Sequence, residues 1–375
     1  MHLPPLSNGN SQPRVLIVHD FAETFGGAER IVAEIAAAFP GSRLVAITGR
    51  PEVAARMGMA GRFRTLLGSS PPLLRHYRKL VALYPALASL RRLPAADLLI
   101  SSSYAFAHGF STVNGAPHLS YCYSPLRFAW TMGADYGAAL AGPRAAGALD
   151  RFAAPFRVAD RRASGRVDRY VAESSYVAGQ IREFYGRVST VIYPPVDCCK
   201  FRPSAASPED YALLCGRLIE PYKRPTMVVE AFRRMPERRL VVAGDGPEAE
   251  RLRRIAPANV EFRGALADDE LVEAMARCSF AVFPSRDDFG LVPVEVMACG
   301  RPVLAFAGGG ALETIPIGVG GELFAEQSVD CLVEAISRFE PERYRPAEIR
   351  AHAERFDAPR FRESIRAEAQ RLLGD

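Results

Sequence analysis

Long apolar runs are missing from this sequence. Each one is broken by charge, glycine or proline well short of the roughly 18 residues that a membrane-spanning helix needs, so no transmembrane segment is expected. The opening stretch Met1–Arg14 lacks the apolar core of a secretory signal and reads as a loose tail. The seven cysteines, at 122, 198, 199, 215, 278, 299 and 331, include no CxxC pair. In a chain expected to stay in the cytoplasm they read as small buried hydrophobes rather than bridges or metal ligands. Charge of one sign is also scarce: Lys plus Arg exceed Asp plus Glu by 47 − 42 = 5. That excess is too small to argue for nucleic acid, but it suits an anionic ligand or an acidic membrane surface. The 30 glycines and 29 prolines allow many turns without low complexity, which excludes collagen-like and coiled-coil chains. A GxGxxG fingerprint followed by an acid about twenty residues on is absent too, which leaves a dinucleotide dehydrogenase without support.

What is present is 49% hydrophobic content over 375 residues, a length that favours two domains. Val15–His19 is a continuous apolar run, as expected of a parallel strand buried on both faces. A glycine-containing loop and an amphipathic run through Ile31, Val32, Ile35 and Ala38 follow, ending at Pro40-Gly41 before a second strand at Leu44–Thr48. This strand, helix, strand order is the βαβ unit of an open α/β sheet. Further strands are expected at 97–101, 118–123 and 169–172. From Val191 the pattern dissolves into Pro, Ser and charge, giving a linker at 199–210 between an N-terminal domain (15–198) and a C-terminal domain (211–345). The second domain repeats the rhythm. Its strands are expected at 212–215, 239–243, 260–263, 280–284 and 303–306, with helices at 226–234, 248–255, 268–277 and 293–299. The expected fold is α/β, two doubly wound Rossmann-like domains facing a central cleft.

Three stretches carry chemistry. Gly26 and Gly27 precede a helix, where backbone N–H groups can approach a phosphate closely, though an ordinary βα turn looks the same. Gly216–Arg224, GRLIEPYKR, follows a strand and gathers Arg217, Lys223 and Arg224, either a diphosphate clamp or a solvated basic turn. Asp245, in the GDGP loop, is a candidate helix cap. The run Phe283–Gly300 places Asp287 in an acidic loop and Glu295 near a helix start with Pro293 at its first positions. Carboxylates there suit sugar hydroxyls, while a favourable charge at a helix start or an Asx turn explains them equally well.

The DDFGLVPVE run at Asp287–Glu295 resembles the acidic motif of retaining GT-B glycosyltransferases of family four, two glutamates separated by seven residues that include Phe-Gly, with the first acid shortened here to Asp. Other stretches resemble that family's landmarks in the same order: VHD at 18–20, GGAER at 26–30, SSS at 101–103, SPLR at 124–127, YPPVD at 193–197, Gly216-Arg217, Lys223-Arg224, GDGP at 244–247 and GGALET at 309–314. The wording is most similar to bacterial mannosyltransferases that build O-antigen and exopolysaccharide units. The resemblance implies a metal-free hexosyltransferase, with GDP-mannose as donor and a UDP-sugar as the alternative, and a lipid-linked glycan as acceptor. It implies that Arg217 and Lys223 hold the donor diphosphate, with Gly216, Gly290, Leu291 and Val292 around the nucleotide. Glu295 would then take the ribose, Asp287 a hydroxyl of the donor sugar, and Gly26 and Gly27 a place close to the reacting centre. It further implies that the closing segment 346–375 packs back on the first domain. Tyr104 and Tyr123 stand where the family has histidines, and Thr131 where it has Asp. These departures leave open a non-catalytic sugar-nucleotide-binding partner, or an epimerase on the same architecture. His108 and His118 read as structural histidines.

Arg62–Arg92 carries six arginines and one lysine without an acid, interleaved with leucines and tyrosine. Such a segment either lies on an anionic leaflet, each nearby cation contributing about 1 kcal/mol, or packs as a helix with a solvated basic face.

Overall fold

The computed structural model describes residues 13–131 and 143–374, so all but the last two residues of the expected tail lie outside it. The chain forms two compact units, 1–193 with 361–375, and 194–360. These divisions correct the expected ones. The 199–210 stretch lies inside the second unit, and residues 346–360 belong there as well, leaving only the remainder of the closing segment with the first unit. The physical reason is burial: Ile349 and Ala353 anchor the helix Pro346–Ala353, and Arg350 donates to the Cys198, Phe201 and Ala298 carbonyls, all of them second-unit residues.

Among the described residues, the main sheet of the first unit holds seven strands: β1 (Val15–Ala22), β2 (Arg43–Gly49), β3 (Phe63–Thr65), β4 (Leu98–Ser103), β5 (His118–Cys122), β6 (Arg169–Ala172) and β7 (Ser189–Val191). All are parallel, in the order β3-β2-β1-β4-β5-β6-β7. Successive side chains of a strand point to opposite faces. Val15 and Ile17 therefore pack with Ile31, Ile35 and Leu44 on one side, while Leu16 and Val18 pack with Tyr84, Phe110 and Phe156 on the other. The first of these layers includes helix α1 (Gly27–Ala38) and is closed by Phe361, Ile365 and Ala369.

The second unit has β8 (Ala212–Cys215), β9 (Leu240–Ala243), β10 (Val260–Gly264), β11 (Phe280–Phe283), β12 (Val303–Phe306) and β13 (Gly321–Phe324), all parallel, in the order β10-β9-β8-β11-β12-β13. Each unit thus has the doubly wound order that reverses beside its first strand, between β1 and β4 and between β8 and β11. In such sheets ligands collect beyond the carboxyl ends of the strands at that reversal. The Rossmann-like reading of both domains holds.

All seven cysteines are free, but they are not uniformly buried. Cys122, Cys198, Cys278 and Cys299 are buried, whereas Cys199 is exposed and Cys215 and Cys331 are half-buried. Among the described residues, no helix is long and apolar enough to cross a membrane.

Candidate functional site

In the second unit, β8 and β11 end side by side, and a crevice at their carboxyl ends is lined by Cys215, Gly216, Arg217, Lys223, Phe283 and Ser285. The chain turns here because Gly216 adopts φ +131° and Gly244 packs against it so closely that a Cβ on Gly244 would lie 1.8 Å from the Gly216 carbonyl oxygen. Arg217 and Lys223, the two residues expected to hold the diphosphate, therefore line one crevice with Gly216. Arg217 is exposed and has no carboxylate partner among the described residues. Two contacts shape the loop to Lys223. The Lys223 N–H donates to the Ile219 carbonyl at 2.9 Å, and the Glu220 carboxylate accepts from the Thr226 N–H at 3.0 Å. Arg224, at φ +49°, is the one non-glycine among the described residues in the left-handed region, which costs about 1–2 kcal/mol. Backbone strain of that kind concentrates at ligand clamps. Helix α2 (Pro225–Arg233) starts immediately after it.

Lys223 Nζ lies 2.5 Å from Asp287 Oδ2, and it also sits 4.9 Å from the Tyr222 ring centroid and 5.7 Å from that of Phe283. The other Asp287 oxygen, Oδ1, is buried without a hydrogen-bond partner. The acidic loop is clamped from behind. The Gly310 N–H donates to the Asp287 carbonyl at 2.9 Å, and a Cβ on Gly310 would come within 2.3 Å of the Phe289 carbonyl oxygen. Gly290, at φ +92°, ends the loop and caps helix α3 (Leu291–Ala298). This helix begins two residues earlier than the sequence implied, so Pro293 is its third residue. Its missing N–H is still one of those a first turn leaves unpaired. Leu291 and Val292 are half-buried at the helix start, while Glu295 is only 5% exposed, one turn further on. The partner of Asp287 is Lys223. Asp245 does not cap a helix, since its carboxylate takes only the adjacent Gly246 N–H at 2.8 Å.

The carboxyl ends of β1, β4 and β5 in the first unit carry a cluster that no single motif announced. Gly26 caps α1, and its N–H donates to Glu29 Oε2 at 2.8 Å, while Gly27 is the first helical residue. Glu29 Oε1 lies 3.5 Å from His19 Nε2, which makes no hydrogen bond, and His19 Nδ1 meets Ser102 Oγ at 3.0 Å. Ser102 Oγ in turn meets the Tyr123 hydroxyl at 2.7 Å, and that hydroxyl reaches the Ala28 carbonyl at 3.1 Å. Burial pushes the His19 imidazole down, but the Glu29 and Asp20 carboxylates more than offset it and hold it above its ordinary value. Asp20 is fully buried and accepts four backbone N–H bonds, from Tyr104, Ala105, Phe106 and Ala107, at 2.6–2.9 Å. It thereby fixes the loop carrying Tyr104, whose phenol is pushed well above its ordinary range by burial and by the Asp20 and Glu29 charges. His118 is the structural residue expected. Its Nδ1 faces the Arg166 carbonyl at 3.2 Å and its Nε2 faces Ser101 Oγ at 2.8 Å. His108 is also buried, with Nε2 3.2 Å from Asp160.

The basic stretch forms helix 71–76, a tight 77–83 turn and helix 84–90, with Leu74, Tyr77, Tyr84 and Ala88 buried. Arg75, Lys79, Arg91 and Arg92 are exposed, as are Leu67, Leu83 and Leu90. One face thus packs into the core, while the other mixes cations with apolar side chains. Among the described residues, no three His, Cys, Asp or Glu side chains converge as a metal site.

Residues 25–200 match the family described as Glycosyltransferase Family 4, and residues 209–340 match Glycosyl transferases group 1. A GDP-mannose-dependent alpha-(1-6)-phosphatidylinositol monomannoside mannosyltransferase of Mycobacterium tuberculosis is 29% identical over 206 residues, 47% of this chain and 54% of that protein. D-inositol 3-phosphate glycosyltransferase 2 of Catenulispora acidiphila is 36% identical over 191 residues, 42% of this chain and 44% of that protein. The matches to these curated relatives thus span about half of their length. Among solved structures, Anabaena Alr3699/HepE in complex with UDP superposes with TM-score 0.71 at 17% identity, covering 95% of this chain and 99% of that one. Sucrose-phosphate synthase of Thermosynechococcus elongatus gives 0.70 at 19%, covering 96% and 99%. At those identities the likeness is one of fold.

Proposed function

We propose that this chain, a member of the group 1, family 4 glycosyltransferases by the match of its two halves, is a retaining hexosyltransferase that moves mannose from GDP-mannose to a lipid-linked glycan in bacterial surface polysaccharide synthesis. The observation that carries this reading is the Lys223–Asp287 pair in a strand-end loop cluster beside Gly216 and Arg217. A diphosphate offers Lys223 more negative charge than one carboxylate does, and charge-assisted contacts to phosphate are among the strong hydrogen bonds. As Lys223 turns to phosphate, Asp287 is released to accept from a hydroxyl of the donor sugar. Arg217 adds a forked contact. Gly216 and the Gly290, Leu291 and Val292 turn let the nucleotide come close, and Glu295 is assigned the ribose. The first unit is assigned the acceptor, with Gly26 and Gly27 as its helix-start amides.

In the reaction, the bond from the anomeric carbon to the phosphate oxygen breaks and a bond from the acceptor oxygen to the same carbon forms on the same face. The acceptor proton passes to the departing diphosphate. Arg217 and Lys223 stabilise the charge that develops there, the kind of preorganised electrostatic help that dominates many enzymes, without a metal. The mannosyl donor draws support from the name of the mycobacterial relative, and a UDP-sugar from the Anabaena complex. The exposed cations and leucines of the 71–92 stretch support a peripheral position on an anionic leaflet.

The test is to incubate the protein with labelled GDP-mannose or UDP-glucose and a bacterial lipid extract, and to determine the anomeric configuration of the product. GDP release with mannose in the lipid fraction and retained configuration is expected. Donor binding without turnover would make the chain a partner subunit, and conversion of the donor without acceptor would make it an epimerase.

A further inference from the structure

The first unit contains a cavity lined by none of the residues assigned to sugar transfer. It holds about 270 Å³, close to the roughly 300 Å³ lower end of small-ligand sites. Its apolar wall is formed by Ala86 and Ala88 from helix 84–90, Phe106, and Phe156, Ala159 and Ala163 from helix 143–164. The space exists because small residues meet there. A Cβ on Gly109 would lie 3.1 Å from that of Ala88 and 3.3 Å from that of Ala163, so the two helices approach over a glycine.

The polar part of the lining is almost fully engaged. Asp160 Oδ2 accepts from Trp130 Nε1 and the Tyr185 hydroxyl, both at 2.7 Å, and its other oxygen faces His108. Arg166 donates to the Ala88 and Gly109 carbonyls and to Ser89 Oγ. His108, 4% exposed, keeps an Nε2 that makes no hydrogen bond. Arg162 is exposed and has no carboxylate partner among the described residues. The lining therefore carries two guanidinium charges beyond its one His–Asp pair. Apolar surface continues beside it. Phe152, 49% exposed, packs 5.2 Å from Phe156, and Leu90, 82% exposed, follows Ser89.

The geometry points to a binding site for a single hydrocarbon chain ending in an anionic group, such as a long-chain alkyl or isoprenyl phosphate, with the chain between the alanine-faced helices and the head on Arg162. A sugar suits the cavity less well, because Asp160 already accepts from Trp130 and Tyr185 and Arg166 already donates to Ala88, Gly109 and Ser89, while the rest of the wall is apolar. A small inorganic anion would use Arg162 and leave the apolar wall in water, at a cost proportional to the area left wet. The inference stands on the cavity and not on the transferase reading.

Trp130 is the single tryptophan of the chain and is bonded to the cavity's Asp160, so its emission reports on the site. Titration with dodecyl phosphate below its micellar concentration, without sugar nucleotide, is expected to give a saturable change. Dodecanol should bind at least tenfold more weakly, and inorganic phosphate should give no change. Ala159→Leu, which fills the cavity, should weaken dodecyl phosphate at least tenfold. Arg162→Gln, a surface change that leaves the packing intact, should bring dodecyl phosphate down to the level of dodecanol. A wild-type protein that gives no saturable signal, an Ala159→Leu variant that binds as tightly as wild type, or an Arg162→Gln variant with unchanged preference would each overturn the proposal.

Discussion

Lys223 and Asp287, 64 residues apart in sequence, form an ion pair across neighbouring strand-end loops of one sheet. Both were singled out from the sequence for different parts of one ligand, and the structure shows them satisfying each other. A partly buried pair of this kind is costly to break by removing one member, because the other is left uncompensated. On the proposed function, an incoming diphosphate would replace the carboxylate as the lysine's partner.

The first prediction is therefore about affinity. Arg217→Ala and Lys223→Ala should each weaken binding of GDP or UDP by about 1.5–3 kcal/mol, the scale of hydrogen bonds to charged groups. Calorimetric titration measures it. Wild-type affinity in both would return the loop to a solvated basic turn.

The two acids should separate by kinetics. Asp287→Asn removes the competitor for Lys223, so nucleotide affinity should be kept or slightly raised while kcat falls markedly. Glu295→Gln should weaken nucleotide binding and raise KM. Interactions made only in the transition state appear in kcat, and shared binding appears in KM. Full turnover by Asp287→Asn would remove its assigned role and leave Asp288 to be tested.

Membrane attachment should depend on charge. Vesicles with anionic lipid should bind the protein and release it as salt rises, because the Debye length shrinks from about 10 Å at 0.1 M to about 3 Å at 1 M. An Arg75→Glu, Lys79→Glu variant should sediment less with them. Equal binding to neutral vesicles would reject the electrostatic part.

His118 predicts an acid sensitivity. Burial, helped by the charge of His108, pushes its imidazole down to about 3 from 6.5. The unfolded chain thus binds a proton below about 6.5 and the folded chain only below about 3, so between those values the unfolded state holds more protons and stability rises with pH. The contribution is complete above 6.5 and is lost progressively as pH falls toward 3. At about 1.4 kcal/mol per unit it amounts to several kcal/mol over the whole window. His19 and His108 titrate in the opposite sense, so the comparison needed is between wild type and His118→Gln. Urea midpoints at pH 7 and pH 5 should differ less in the variant. An equal difference in both proteins would remove His118 as the cause.

Asp20 should prove structural. Asn in its place keeps one acceptor oxygen but turns an NH2 group toward backbone N–H donors, so Asp20→Asn should destabilise the first unit by at least about 2–3 kcal/mol. Amide hydrogen exchange at Tyr104–Ala107 should accelerate in that variant, and unchanged protection there would contradict the assignment.

Much of the fold was legible because parallel strands buried on both faces are continuous apolar runs. Ala212–Cys215 and Val303–Phe306 match their sequence-based bounds residue for residue. Where the sequence misled, polarity was the cause. β1 was expected to stop at His19, yet it continues to Ala22, because backbone amides solvate the Asp20 carboxylate as water would. The short edge strands Phe63–Thr65 and Ser189–Val191 carry too few residues to show a period. Gly216, Arg217, Lys223 and Asp287 could be found from loops that follow strands, but their pairing could not, since it depends on which strands become neighbours. The His19, Glu29, Ser102 and Tyr123 cluster draws on four separate segments. Its local traces were the short VHD, GGAER and SSS stretches and a glutamate three residues after Gly26, a capping signal.

The closing helix Ala358–Gly374 gives the chain an order of assembly during synthesis. Residues 194–360 are contiguous and can complete their core as they leave the ribosome. The N-terminal unit, although made first, lacks Phe361, Ile365 and Ala369 in its core until residues 361–369 have been made. Until then its sheet carries an uncovered apolar groove, and Glu34, Arg169 and Thr190 wait for Arg362 and Glu368. The first unit therefore cannot complete its core ahead of the second, an exception to the usual vectorial order in which N-terminal domains fold ahead.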